Sequence, residues 1–255
     1  MLKKLSLLFI LSLVIITNTN AQKNTHNGDL NAWMFWLNEA KINKDWSITT
    51  EFHYRDAGIF KDPANFIFRP SVDYQLSGFI NFSVGYSLVK TWPHHPVEAT
   101  AAFKEDNIWI QTILKNKLGP VSILHRFREE FRFIEIPSQD PNSLMSSKGI
   151  NKVNRFRYRF QISFDLLKLG EKKLETVLFT ELWLVQIDGL RPTDFGRNWF
   201  YAGVKYPVHH RADLHLGFMD QYDKIGTNQF IHQPVIQFML ATKLNLRGNQ
   251  DIVVN

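Results

Sequence analysis

The sequence predicts an all-β fold: an up-and-down antiparallel transmembrane β-barrel of about twelve strands, with short turns at one end and longer loops at the other. Three observations predict it. Apolar and polar residues alternate with a period of two along most of the chain, as in 155–166, RFRYRFQISFDL. The connections between those runs alternate between short and long. The apolar face of the runs is rich in aromatics, with 21 Phe, 7 Trp and 7 Tyr in the chain.

The elements follow in order. Residues 1–21 read as a signal peptide: Lys3 and Lys4, an apolar run from Leu5 to Ile16, and small residues Thr19 and Ala21 before the cut. The run is shorter than the ~20 residues a spanning helix needs, which counts against the rival reading, an uncleaved anchor helix. Residues 22–255 form one domain. Segment 32–42 is a less regular strand. In 46–55, Trp46, Ile48, Thr50, Phe52 and Tyr54 alternate with Ser47, Thr49, Glu51, His53 and Arg55. Segment 65–76 sets Phe66, Phe68, Val72, Tyr74 and Leu76 against Arg69, Ser71, Asp73 and Gln75, and 79–90 repeats the pattern. Segment 105–118 is less clear. Segment 121–134 places Arg126, Arg128, Glu130 and Arg132 on one face and Val121, Ile123, Phe127, Phe131 and Phe133 on the other. His125 and Glu129 interrupt that apolar face. Strands at 155–166, 174–186, 198–206, around 213–221 and at 236–246 complete about eleven, each near ten residues, and 22–31 or 250–255 supplies a twelfth.

The short connections fall at 43–45, 77–78, 119–120, 167–173 and 207–210; the longer ones fall at 56–64, 91–104, 137–154, 187–196 and 223–229. A Greek-key sandwich explains the alternation of residues but gives no reason for loops sorted by parity. An up-and-down meander, with tight turns at one end and long loops at the other, does.

Energetics orients the strands. Each Arg on a lipid-facing position costs about 2–4 kcal/mol at mid-depth, so Arg155, Arg157 and Arg159 together would cost roughly 6–12 kcal/mol, the size of a whole domain's stability. The arginines therefore face the lumen and the aromatics face lipid, with Trp46, Trp92, Trp109 and Tyr54 as interfacial girdle residues. The expected lumen charge cluster is Glu51, Arg55, Arg69, Asp73, Arg126, Arg128, Glu130, Arg132, Arg155, Arg157, Arg159, Asp165 and Glu181. Arginines on the adjoining strands 121–134 and 155–166 stand side by side, which is unfavourable unless acids face them.

Several short segments resemble a known family. HRFREEFRF at 125–133 and RFRYRF at 155–160 look like its signature. EFHYR (51–55), FRPSVDYQL (68–76), VGY (84–86), EDNIWIQ (105–111) and NWFYAGVKY (198–206) follow in matching order. The family is domain of unknown function 2490. The resemblance implies an outer-membrane β-barrel from Gram-negative, Bacteroidetes-type bacteria and implies no particular activity.

Composition narrows the chemistry. The chain has no cysteine, which removes thiol catalysis and cysteine-ligated metals. The net charge of +6 and pI near 9.4 suit anionic partners, and export disfavours nucleic acid despite the Arg–aromatic interleaving. No metal or cofactor is expected: the pairs His94-His95 and His209-His210 put neighbouring rings on opposite faces when in a strand. The expected partners are outer-membrane lipid and lipopolysaccharide, the barrel-assembly machinery and small anions, with the chain acting as a monomer in the bacterial outer membrane. The lumen is either plugged by an Arg–carboxylate network or open to anions, porin-like. The alternative is an outer-membrane enzyme acting on lipid A or phospholipid, with His125 and Glu129, or His53 and Ser47, as its candidate residues.

Overall fold

The computed structural model describes residues 24–94, 101–137, 147–187 and 194–246. The expected signal peptide and the 250–255 tail lie outside them. Every described element is a β-strand. The chain runs β1 (Asn24–Asn27), β2 (Asn31–Lys41), β3 (Trp46–Ala57), β4 (Asp62–Gln75), β5 (Ile80–Thr91), β6 (Phe103–Leu118), β7 (Val121–Pro137), β8 (Ser147–Leu169), β9 (Lys172–Ile187), β10 (Asp194–His209), β11 (Ala212–Gly226) and β12 (Gln229–Asn245). From β2 to β12 each strand pairs antiparallel with the next, and β12 closes on β2.

The count resolves the parity of the expected architecture. Eleven long strands close the barrel, and β1 is a four-residue continuation of the β2 edge that also pairs with β12. In a meander of odd number the first and last strands run the same way, so the closing pair is parallel, from Val235↔Asn31 to Asn245↔Lys41. Parallel pairing is slightly weaker per residue. Side chains add ties at this seam: Trp36 Nε1 donates to Thr242 Oγ1 at 3.0 Å, and Thr242 Oγ1 lies 2.9 Å from Asn38 Oδ1.

The strands exceed the expected ten residues and reach 23 in β8. A tilted strand needs only about 9–11 residues to cross an apolar layer. The surplus in β8 is polar and exposed at its start, where Ser147, Lys148, Asn151 and Lys152 stand. Part of the expected long loop 137–154 is therefore strand. One end of the barrel carries the tight connections 42–45, 76–79, 119–120, 170–171 and 210–211. The other carries 92–102, 138–146 and 188–193, but its remaining two, 58–61 and 227–228, are also tight. Residues in the left-handed region make those two turns compact: Gly58, Ile59 and Phe60 in the first, Asn228 in the second.

The amphipathy is inverted relative to a water-soluble fold. The outward face exposes Ile48, Val72, Val84, Ile108, Ile110, Phe200, Leu216, Phe218 and Phe238, while inward positions bury Arg, Glu, Asn, Gln and Ser. Aromatic groups mark both ends of the outer face: Trp46 against Tyr74 near the tight-turn end, and Phe195, Tyr222 and Phe230 at the other. Gly196 is an extra residue in β10 that lets Phe195 point out opposite Leu184 while Arg197 points in opposite Trp183.

The aromatics are not all outward. Trp33, Trp109, Trp183 and Trp199 point inward and are buried, so Trp109 is no girdle residue. It sits mid-strand over Gly85, where a Cβ would overlap its ring. Trp33, Val177, Trp183, Trp199, Tyr201, Met219 and Val235 form an apolar cluster on the β2 and β9–β12 side of the interior. Tyr201 lies across Gly203 and Gly217, cross-strand partners whose missing Cβ atoms make the floor on which it rests. Gly217→Val should therefore lower the unfolding free energy by about 1–3 kcal/mol, as overpacked sites do. Gly78→Ala, with nothing within 4 Å of the added Cβ, should stay within about 0.5 kcal/mol. Denaturant midpoints of the two variants are the check.

Candidate functional site

Inward positions on β3, β4 and β6–β9 bring the charged side chains together. The register sets the problem: Arg126 is opposite Arg159 and Arg128 is opposite Arg157. Like charges directly opposed on one face repel. Two carboxylates resolve it, one within the pair and one from the next strand. Glu130 on β7 is opposite Arg155, and Glu181 on β9 is opposite Arg159. Both glutamates have no solvent exposure.

Arg157 bridges them. Its Nη1 donates to Glu130 Oε1 at 2.8 Å, and its Nε and Nη2 approach Glu181 Oε1 at 2.6 and 2.5 Å. Glu181 also receives Arg126 Nη2 at 2.7 Å, reaching over β8, and Arg159 Nε at 2.7 Å and Nη2 at 2.6 Å. Glu130 also pairs with Arg155. Charge-assisted, multidentate bonds of this kind are the strong class of hydrogen bond. Around this centre, Arg132 grips Glu105 through Nε and Nη2 at 2.6 and 2.7 Å, and Arg69 bonds Glu51 Oε2 and Ser87 Oγ, both at 2.9 Å. His53 Nε2 stands 2.8 Å from the same Glu51 oxygen. Arg128 donates Nε and Nη2 to Gln111 at 2.9 and 2.7 Å.

Indole faces carry the guanidinium groups. Arg157 and Arg128 each lie 4.0 Å from the ring centroids of Trp183 and Trp109, and Arg55 lies 4.0 Å from Trp33. Arg159 lies 3.9 Å over Phe179. Arg55 on β3 also comes within 5.7 Å of the Trp199 ring on β10, and Trp33 meets Trp199 edge to face at 5.6 Å. These contacts join strands that are not sheet neighbours, so the layer extends from the wall into the interior. A cavity of about 290 Å³ lies on the side of the layer where β5 and β7 end, and two of about 380 and 230 Å³ lie towards the tight-turn end.

Twelve of the thirteen expected cluster residues face this interior together. Asp73 sits below the centre, accepting from Thr49 Oγ1 at 2.6 Å. Asp165 stands apart: a register shift follows it, and its half-exposed carboxylate pairs with Lys173 at 2.5 Å near the tight-turn end. Sequence reasoning missed Glu105, Arg197 and Asp223, the last two paired at 2.6 Å, and the four inward tryptophans. Extending the period-two pattern of the neighbouring strands places Glu105 beside Asn107 and Gln111, and Asp223 beside Gln221. The Gly196 bulge hid Arg197.

The residues considered for catalysis are separated. His53 is held by Glu51 inside, whereas His125 is outside, 2.8 Å from Tyr158 Oη. Neither has a Ser or Thr hydroxyl as partner among the described residues. No group of three or more metal-ligating side chains occurs among the described residues either.

Glu181→Gln should be the costly variant, because Arg126 and Arg159 then lose their carboxylate partner and Arg157 keeps Glu130 alone. Breaking such a buried pair costs about 3–5 kcal/mol, whereas Asp165→Asn, at an exposed pair, should cost less than about 1 kcal/mol. Chemical unfolding of both variants followed by circular dichroism tests the contrast, and equal losses would remove Glu181 from the centre of the network.

No curated protein and no solved structure matches the chain. A family model described as "Protein of unknown function (DUF2490)" matches residues 30–232, from just before β2 into β12. The match takes in every strand that contributes to the Glu130–Arg157–Glu181 layer, and the chain belongs to that family.

Proposed function

We propose that the protein is an outer-membrane β-barrel of Gram-negative bacteria whose interior is sealed by its arginine–carboxylate layer, a structural or ligand-holding barrel and not an open passage. The observation that carries this reading is the inverted amphipathy. Soluble monomers rarely expose apolar patches beyond a few hundred Å², and here apolar side chains follow one another around the outer face, with aromatic groups near both ends. Closure removes the free strand edges that a bilayer does not tolerate. In this reading lipid and lipopolysaccharide surround the belt, assembly machinery inserts the barrel after export, the chain works as a monomer, and nucleic acid is no partner.

The sealed interior follows from the same layer. An ion crossing at the centre of the layer must disturb the pairs that Arg157 makes with two fully buried carboxylates, a penalty of several kcal/mol per buried charge left short of partners.

Two measurements test the proposal. The mature protein should require detergent and should run faster on a gel unheated than boiled. Solubility as a compact monomer without detergent overturns the membrane reading. In planar bilayers the wild type should show no conductance steps, and steady anion-selective steps would replace the sealed barrel with a passage.

A further inference from the structure

One buried cation in the interior lacks a counter-charge. Arg55 is only 8% exposed, yet among the described residues it has no carboxylate partner and no hydrogen bond, and its Nε is unsatisfied. Buried polar groups are nearly always bonded, and a buried charge without partner is costly. Arg55 is held by stacking alone, on Trp33 and near Trp199, which fixes the guanidinium plane but leaves its donors free. Arg55 lines the cavity of about 230 Å³ and also the one of about 290 Å³ on the side where β5 and β7 end.

The acids around that cavity are already engaged. Arg132 holds Glu105, Arg197 holds Asp223, and Asp56 Oδ1 accepts the Lys61 amide at 3.1 Å. None of them bonds Arg55. The remaining wall is mixed: Trp183, whose Nε1 donor is also buried without a partner, faces the apolar side chains of Ile67, Val89 and Ile134.

We propose that this cavity is a binding site for a small organic carboxylate, with Arg55 as the cation that receives the carboxylate group and the indole and aliphatic wall as the seat of the carbon body. A single free guanidinium fork matches the planar, singly charged carboxylate, which takes two parallel N–H bonds. Inorganic phosphate, compact and mostly doubly charged near neutral pH, would use the fork but leave the apolar wall empty. The inference does not rest on the membrane reading, because the cavity lies inside the barrel whatever surrounds it.

The test titrates the folded, full-length barrel in detergent with benzoate and hexanoate, followed by calorimetry and by tryptophan fluorescence, with benzamide and inorganic phosphate as controls. Both carboxylates should bind saturably and alter the emission, and benzamide should not. Arg55→Gln should weaken binding roughly tenfold or more, and Arg55→Lys, which keeps the charge but loses the fork, should fall between. Arg55→Gln removes a cation without stranding an acid, so its unfolding midpoint should equal or exceed that of the wild type. Absence of saturable carboxylate binding, equal affinity in Arg55→Gln, or equal binding of benzamide each overturns the proposal. Phosphate binding as tightly as the carboxylates overturns the organic-carboxylate assignment.

Discussion

Arg157 joined to Glu130 and Glu181 is the interaction on which the interior depends. Three adjoining strands, β7, β8 and β9, each contribute to it, and the register that brings them together also sets arginine against arginine twice. Without the two glutamates that register would be repulsive. With them, the repulsion becomes a constraint on pairing: a one-residue slip of β8 would turn its arginines outward and take from both buried acids most of their partners. The layer thus stabilises the barrel less through its net energy, which desolvation largely offsets, than through its intolerance of any other register.

The indoles complete the same device. A guanidinium is weakly hydrated and planar, so it stacks on Trp while its edge donates in plane to a carboxylate. Arg157 on Trp183 and Arg128 on Trp109 both use this division of surfaces. The glycines serve it too: Gly85 leaves space for Trp109, and Gly203 and Gly217 do so for Tyr201. Large inward aromatics next to absent side chains occupy part of the interior of the eleven-stranded barrel.

Inside, charge and apolar bulk are divided by side. The β3, β4 and β6–β9 wall carries most of the ion pairs, and the β2 and β9–β12 wall carries the apolar cluster together with the Arg197–Asp223 pair. Arg55 lies at the boundary, over the indoles of one wall and beyond reach of the acids of the other. Its position, more than its identity, makes it the chemically available group of the interior.

Much of this was legible in the linear sequence because a β-strand maps neighbouring residues onto opposite faces. The alternation in 121–134 and 155–166, together with the cost of an arginine in an apolar layer, determined the all-β class and which face each arginine takes. It did not determine strand number, since a closing pair is a contact between residues some two hundred positions apart. Nor did it place Trp33, Trp109, Trp183 and Trp199, because an inward tryptophan breaks the polar pattern locally and is stabilised only by a cation or a glycine on another strand. Which acid meets which arginine, and that Arg55 meets none, was decided by register and barrel closure, which act across strands and leave no local trace.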